Sequence, residues 1–276
     1  MLINDSINDL GMNIPEPVKF AMIRQLFQCG VSTEFMKDYK RWNEIYPKRH
    51  CSGEDECPPL DITDVVDDCL NADYRIIKTV RMNLETVEDF FRLPSFRMLK
   101  VIFLVRDPRG TMKSMTHIAK EKKIWNVTAQ EMCSRIRNNA IMFHTLNRLY
   151  PNRLYFLRYE DMSLRPFEKA LELWRFINAS STAVEIPEGW KTFLNESQTS
   201  KNITEAHDHP FNIKARSTKY WQSWRKEISK GDFNEVQKYC KDVLENLGYK
   251  EFRSFKIMRN MSISSITKKN CENIPC

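Results

Sequence analysis

Apolar residues recur along this chain at two spacings, and the switches between them outline the elements. Pro17 to Phe27 and Thr33 to Tyr46 carry helical spacing, and a cysteine- and acid-rich loop follows from Pro47 to Pro59. Tyr74 to Val80 reads as a strand, Leu84 to Phe91 as a short helix and Leu99 to Val105 as a second strand. Thr128 to Tyr150 is a long helix whose Thr128 and Glu131 make a capping box, and Leu154 to Arg158 is a third strand. Arg165 to Ile177 repeats Leu171, Trp174 and Ile177 at helical intervals. From Pro187 onward the pattern is helix and loop, closing with Phe233 to Leu247 and Gly248 as its C-cap. Strands separated by helices predict a parallel sheet with helices on both faces. The chain has no internal repeats.

The junction after the second strand holds the chemistry. Val101 to Val105 is an unbroken apolar run, suited to a central strand covered on both faces. Arg106 and Asp107 end it, Pro108 suits a first helical turn, and Met112, Met115 and Ile118 carry a helix through Thr111 to Ala119. Free N–H groups at such a helix start, together with its dipole, favour a phosphate. Arg106 can fork two N–H donors onto phosphate oxygens, and Ser114 can add a hydroxyl. The plainer alternative is that Arg106 and Asp107 pair with each other at a strand end.

Leu104-Val-Arg-Asp-Pro-Arg-Gly110, followed by Ser114, closely resembles the 3′-phosphate-binding segment of Golgi carbohydrate sulfotransferases. Ile76-Ile77-Lys78-Thr79-Val80-Arg81 is similar to the strand preceding that segment in the galactose, N-acetylglucosamine and N-acetylgalactosamine 6-O-sulfotransferase group. Leu157-Arg158-Tyr159-Glu160-Asp161, then Arg216-Ser217-Thr218, Trp224-Arg225, and Cys240 through Leu247-Gly248-Tyr249 follow in the family's order. The likeness spans roughly residues 20 to 250. It implies an α/β fold, a P-loop-like three-layer sandwich with a mostly parallel sheet and helices on both faces. That fold forms one domain over 1–276, with residues 251–276 as a tail.

The same resemblance implies transfer of sulfate from 3′-phosphoadenosine 5′-phosphosulfate to a sugar hydroxyl, 6-O, of a glycan or glycosaminoglycan. It assigns Arg106, Asp107, Arg109, Gly110, Thr111 and Ser114 to the donor nucleotide's 3′-phosphate segment. Arg216, Ser217 and Thr218 form a second contact, and Tyr159 lies near the adenine. For Tyr159 the alternative is a strand-end ring packed on the core. Lys78 and Arg81 are catalytic candidates aimed at the transferring group, or else solvated strand-end residues. A histidine after the Lys-Thr pair, the base of cytosolic sulfotransferases, is replaced by Val80. Glu85 and Glu88 are other candidates for a base, on what reads as the solvated face of a short helix.

Two family elements are not found in the sequence: the glycine- and serine-containing loop around the 5′-phosphosulfate, and a membrane anchor. None of the seven glycines stands in a phosphate-cradling loop after an apolar run. The expectation is a chain starting downstream of both. The alternative to an enzyme is an inactive relative that keeps a nucleotide or glycan site.

Net charge of +7 suits polyanionic partners, and without a recognition helix or zinc-finger spacing a sulfonucleotide is favoured over nucleic acid. The five histidines give no metal-ligand spacing except the weak His207-Asp208-His209, which reads as a loop, so no metal is expected. Compartment is read from other features. Six Asn-x-Ser/Thr sequons, at Asn4, Asn126, Asn178, Asn195, Asn202 and Asn260, exceed the roughly two or three that chance gives. Eight cysteines permit pairing in an oxidising lumen. Cys51 and Cys57 are spaced too widely for a usual zinc pair. Together these point to the Golgi lumen, as a type II membrane protein anchored upstream of Met1.

Overall fold

The computed structural model describes residues 15–33, 35, 61–80, 82–122, 127–178, 182–199 and 221–267. These group into two compact units, Met1–Thr86 and Val87–Cys276.

In the first unit, helix α1 (Glu16–Phe27) and helix α2 (Ile62–Asn71) are joined by a disulfide between Cys29 and Cys69. The Arg75 guanidinium donates to the carbonyls of Phe27 and Cys69, satisfying acceptors at the C-terminal ends of both helices. Asp61 caps α2 by accepting from the Thr63 N–H. At the start of α1, Glu16 accepts from Lys19, Asn83 and Thr86. The stretch 74–80 is not the expected strand. It has no regular structure, and Ile76 is 83% and Val80 76% exposed. A β-rich run becomes a strand only where another edge offers partners, and no such edge pairs with it among the described residues. The helix expected over Thr33 to Tyr46 and the loop from Pro47 to Pro59 lie almost wholly outside the described residues. Helix α3 (Leu84–Phe91) spans the boundary between the units.

The second unit is built on two parallel strands, β1 (Val101–Val105) and β2 (Leu154–Arg158), in a register that pairs Val101 with Leu154 and Val105 with Arg158. Helix α4 (Pro108–Lys122) follows β1, and helix α5 (Ala129–Leu149) crosses back to β2. Both halves of the Thr128–Glu131 capping box are made. Phe143 of α5 stacks on Phe103 and meets Phe156 edge-on, sealing one face of the sheet. The opposite face of β1 is not covered as expected: Ile102 is 41% and Leu104 55% exposed. The Arg153 guanidinium binds the carbonyls of Phe91, Phe96 and Leu99, tying the approach to β1 to the start of β2.

Past β2 come α6 (Tyr159–Leu164), α7 (Pro166–Asn178) and α8 (Glu188–Thr199). Next are α9 (Trp224–Glu227), α10 (Lys230–Tyr239), α11 (Lys241–Asn246) and α12 (Phe255–Arg259). The single helix expected over Phe233 to Leu247 is two, meeting at Cys240, which is disulfide-bonded to Cys133 of α5. Gly248 terminates α11 as its sequence predicts. With φ at 72° it sends its own N–H to the Glu245 carbonyl and the Tyr249 N–H to Leu244, the two bonds of a Schellman cap.

Candidate functional site

The parallel register sets the site. Val105 pairs with Arg158, so Arg106 and Tyr159 are the first residues beyond the sheet on adjacent strands. The Arg106 guanidinium accordingly lies over the Tyr159 ring, 4.9 Å from its centroid.

Asp107 caps α4, its Oδ1 accepting from the Arg109 N–H at 3.0 Å. The same carboxylate grips the Arg109 side chain, from Nε at 2.8 Å and from Nη2 at 2.7 Å. Arg109 also donates through Nη1 to the Lys250 carbonyl, with its guanidinium between the rings of Trp224 and Phe252. Both residues are wholly buried. Asp107 does pair with an arginine, but with Arg109 and not with Arg106. Two of the amides at the helix start are taken by side chains: the Arg109 N–H serves Asp107, and the Asp107 N–H donates to Glu160 Oε1 at 3.0 Å.

Glu160, fully buried at the start of α6, accepts from the Tyr249 hydroxyl on its other oxygen at 2.6 Å. Loss of water, and then the nearby Asp107 charge, push its carboxyl up to about 7; the two hydrogen bonds only partly oppose this. Burial pushes the Tyr249 hydroxyl well above its ordinary range. Arg158 forks onto Asp161, 2.8 Å from Nε and 2.9 Å from Nη2, and binds the carbonyls of Leu247 and Gly248 with its remaining donor group. Strand end, helix start and the α11 cap are thereby fixed together.

A third buried guanidinium secures the other side. Arg225 binds the carbonyls of Met258, Asn260 and Ile263 and the Gln222 side chain. Burial and the neighbouring Arg109 charge hold it below its ordinary value. This orders the end of α12, whose carbonyls favour a cation. Beside it, the Trp224 indole packs on the start of α4, and Gly110 explains how. A β-carbon there would stand 3.0 Å from Cδ1 of Trp224 and 3.2 Å from Nε of Arg106.

Arg109, Arg158 and Arg225 are therefore committed to the protein, and Arg106 is not. It is half-buried, and its Nε is shielded from solvent with no hydrogen-bond partner among the described residues. Ser114, half-buried, is one helical turn beyond Gly110 on the same stripe of α4, and Thr111 lies between. This orphaned donor, beside a glycine that leaves room, fits an anionic group. Lys78 is exposed in the first unit, and Arg81, Arg216, Ser217 and Thr218 lie outside the described residues. Glu85 is exposed, and Glu88 is paired with Arg92 at 2.6 Å. Among the described residues no cluster of histidine, cysteine and carboxylate side chains could hold a metal ion, and no helix is long and apolar enough to cross a membrane.

The sequence placed Arg106, Gly110, Ser114 and Tyr159 in one neighbourhood. It gave no role to Glu160, Tyr249 or Arg225, although each lies in one of the ordered motifs.

A family model described as a sulfotransferase domain matches residues 72–249. Carbohydrate sulfotransferase 3 of Homo sapiens is 27% identical over 266 residues, covering 89% of this chain and 52% of the relative. Carbohydrate sulfotransferase 1 of Danio rerio is 26% identical, covering 78% and 53%. Carbohydrate sulfotransferase 4 of Mus musculus is 24% identical, covering 98% and 72%. The chain spans about half the length of the first two. No solved structure gives a significant match.

Proposed function

Because the chain belongs to the sulfotransferase domain family, we propose that it transfers sulfate from 3′-phosphoadenosine 5′-phosphosulfate to a sugar hydroxyl, at the 6-O position, of a glycan or glycosaminoglycan. The observation that carries this reading is the state of Arg106. It is the guanidinium left over when Asp107–Arg109, Arg158–Asp161 and Arg225 have closed on themselves around it.

Arg106 and Ser114 would hold the 3′-phosphate, one by a charge-assisted fork and the other by a hydroxyl. Gly110 and Thr111 shape the helix face they share. Tyr159, held under Arg106, would lie near the adenine, and Arg216, Ser217 and Thr218 would add the second nucleotide contact. Asp107 and Arg109 act from beneath, fixing the direction in which α4 leaves the sheet. The bound sulfonucleotide supplies an activated sulfuryl group, and Lys78 and Arg81 are the cations proposed to face it. The lumen of the Golgi is the proposed compartment, supported by the disulfides Cys29–Cys69 and Cys133–Cys240, which suit an oxidising lumen.

Retention of the full chain on immobilised adenosine 3′,5′-bisphosphate tests the site. Arg106→Ala removes a charge-assisted contact worth about 2–3 kcal/mol, so affinity should fall about 30- to 150-fold. Ser114→Ala, losing a neutral hydroxyl, should cost about 1 kcal/mol. Unchanged retention by Arg106→Ala would overturn the assignment. Transfer of radiolabelled sulfate to a panel of desulfated glycans tests the activity and identifies the sugar.

A further inference from the structure

The sequons differ in what the fold does with them. Asn178 sits half-buried at the end of α7, its Nδ2 donating to the Trp174 carbonyl at 3.2 Å. Asn195 lies in the middle of α8, and the hydroxyl of its sequon partner Ser197 is taken by the Leu194 carbonyl at 2.8 Å. Asn260-Met261-Ser262 is arranged otherwise. All three residues are exposed in the loop after α12, and the Asn260 Oδ1 accepts the Ser262 N–H at 3.0 Å. This Asx turn is closed by a bond two residues long, so it forms locally without the rest of the fold. The Ser262 hydroxyl makes no hydrogen bond among the described residues.

We infer that Asn260 carries an N-linked glycan, in preference to Asn178 and Asn195. The inference rests on the lumenal compartment proposed above. The Asx turn leaves Nδ2 of Asn260 directed away from its own backbone, with the hydroxyl that recognition requires two residues on. The folded chain then keeps the loop in place. The carbonyls of Met258, Asn260 and Ile263 are held from below by Arg225, while the side chains of Asn260, Met261 and Ser262 stay exposed. In the reaction, Nδ2 bonds to the anomeric carbon of an oligosaccharide carried on a lipid pyrophosphate. The bond from that carbon to the pyrophosphate oxygen breaks, the lipid pyrophosphate leaves with the electron pair, and one amide proton passes to a base of the host transferase.

The full chain is expressed in eukaryotic cells behind a cleavable secretory leader, then deglycosylated by an N-glycosidase in heavy-oxygen water. Each asparagine that bore a glycan becomes an aspartate carrying the label, read by peptide mass spectrometry. Asn260 should be labelled in most molecules, and Asn178 and Asn195 in few or none. Ser262→Ala keeps the backbone N–H that closes the turn but destroys the sequon, so it should remove one glycan step on a gel without unfolding the loop. Unlabelled Asn260, or an unchanged mobility of Ser262→Ala, would overturn the inference. The leader delivers the chain to the lumen whatever its natural compartment. Failure at Asn260 therefore counts against this inference alone, and a cytosolic location of the natural protein counts against the compartment alone.

Discussion

Glu160→Gln separates a carboxyl's charge from its shape at the centre of the junction. In the folded chain this group's midpoint stands at about 7 against an ordinary 4.5, because it is buried and close to Asp107. The folded chain therefore holds the proton more tightly than the unfolded chain. The stability this group contributes is fully present below pH 4.5, declines as pH rises from 4.5 to 7, and is lost above 7. At about 1.4 kcal/mol per pH unit, the interval is worth about 3 kcal/mol. Glutamine is neutral throughout and can still accept the Asp107 N–H. Its amide nitrogen must face the Tyr249 hydroxyl, which then has to accept instead of donate, a mismatch costing about 1 kcal/mol. The variant should thus be slightly less stable than the parent at pH 4.5 and about 2 kcal/mol more stable at pH 8. Urea unfolding followed by tryptophan fluorescence at several pH values reads this directly, since Trp224 is buried beside the junction. Parallel pH profiles for parent and variant would refute the argument.

Gly110→Ala forces a methyl group to within 3.0 Å of the Trp224 ring and 3.2 Å of Arg106. It should cost about 1–3 kcal/mol in unfolding and weaken retention on adenosine 3′,5′-bisphosphate, because Arg106 has to move. Replacing Cys133 and Cys240 together by serine opens a cross-link across 107 residues and should destabilise by about 4–5 kcal/mol, visible as a lower urea midpoint. Arg225→Lys keeps the charge but loses the fork across three carbonyls, and should cost about 3 kcal/mol or more in the same assay.

What could be read in advance was local. The unbroken apolar run at Val101 to Val105 and the stretch Leu154 to Arg158 became strands at those residues, bar the first two expected of β1. Thr128 with Glu131 and Gly248 ended helices where their own chemistry directs. What failed depended on residues distant in sequence. Ile76 to Val80 carries as much β preference as β1, yet nothing nearby specifies an edge for it. Cys133 and Cys240 could not be matched by spacing across 107 residues. Nor does a single arginine announce whether it will be buried: Arg106 and Arg109 stand three apart, and only the Asp107 carboxylate, reached from the helix side, decides which of them is consumed.

That choice gives the motif its meaning. Of the charged residues in Arg106-Asp107-Pro108-Arg109 and Arg158-Tyr159-Glu160-Asp161, most hold one another, the carbonyls of Leu247, Gly248 and Lys250, and the Tyr249 hydroxyl. Buried pairs of this kind add little net stability, because desolvation offsets their attraction. Their effect is on direction and on charge. Arg109 pairs with Asp107, Arg158 is matched by Asp161, and Glu160 is driven toward its neutral form by burial first and by the nearby Asp107 second. With those charges balanced inside and the donors of Arg225 taken up by backbone carbonyls, Arg106 is the guanidinium of the junction that keeps a donor to give, lying across Tyr159 with an Nε unsatisfied among the described residues. A ligand that binds there must bring negative charge and acceptors, which is why a phosphate group suits the site better than a neutral sugar.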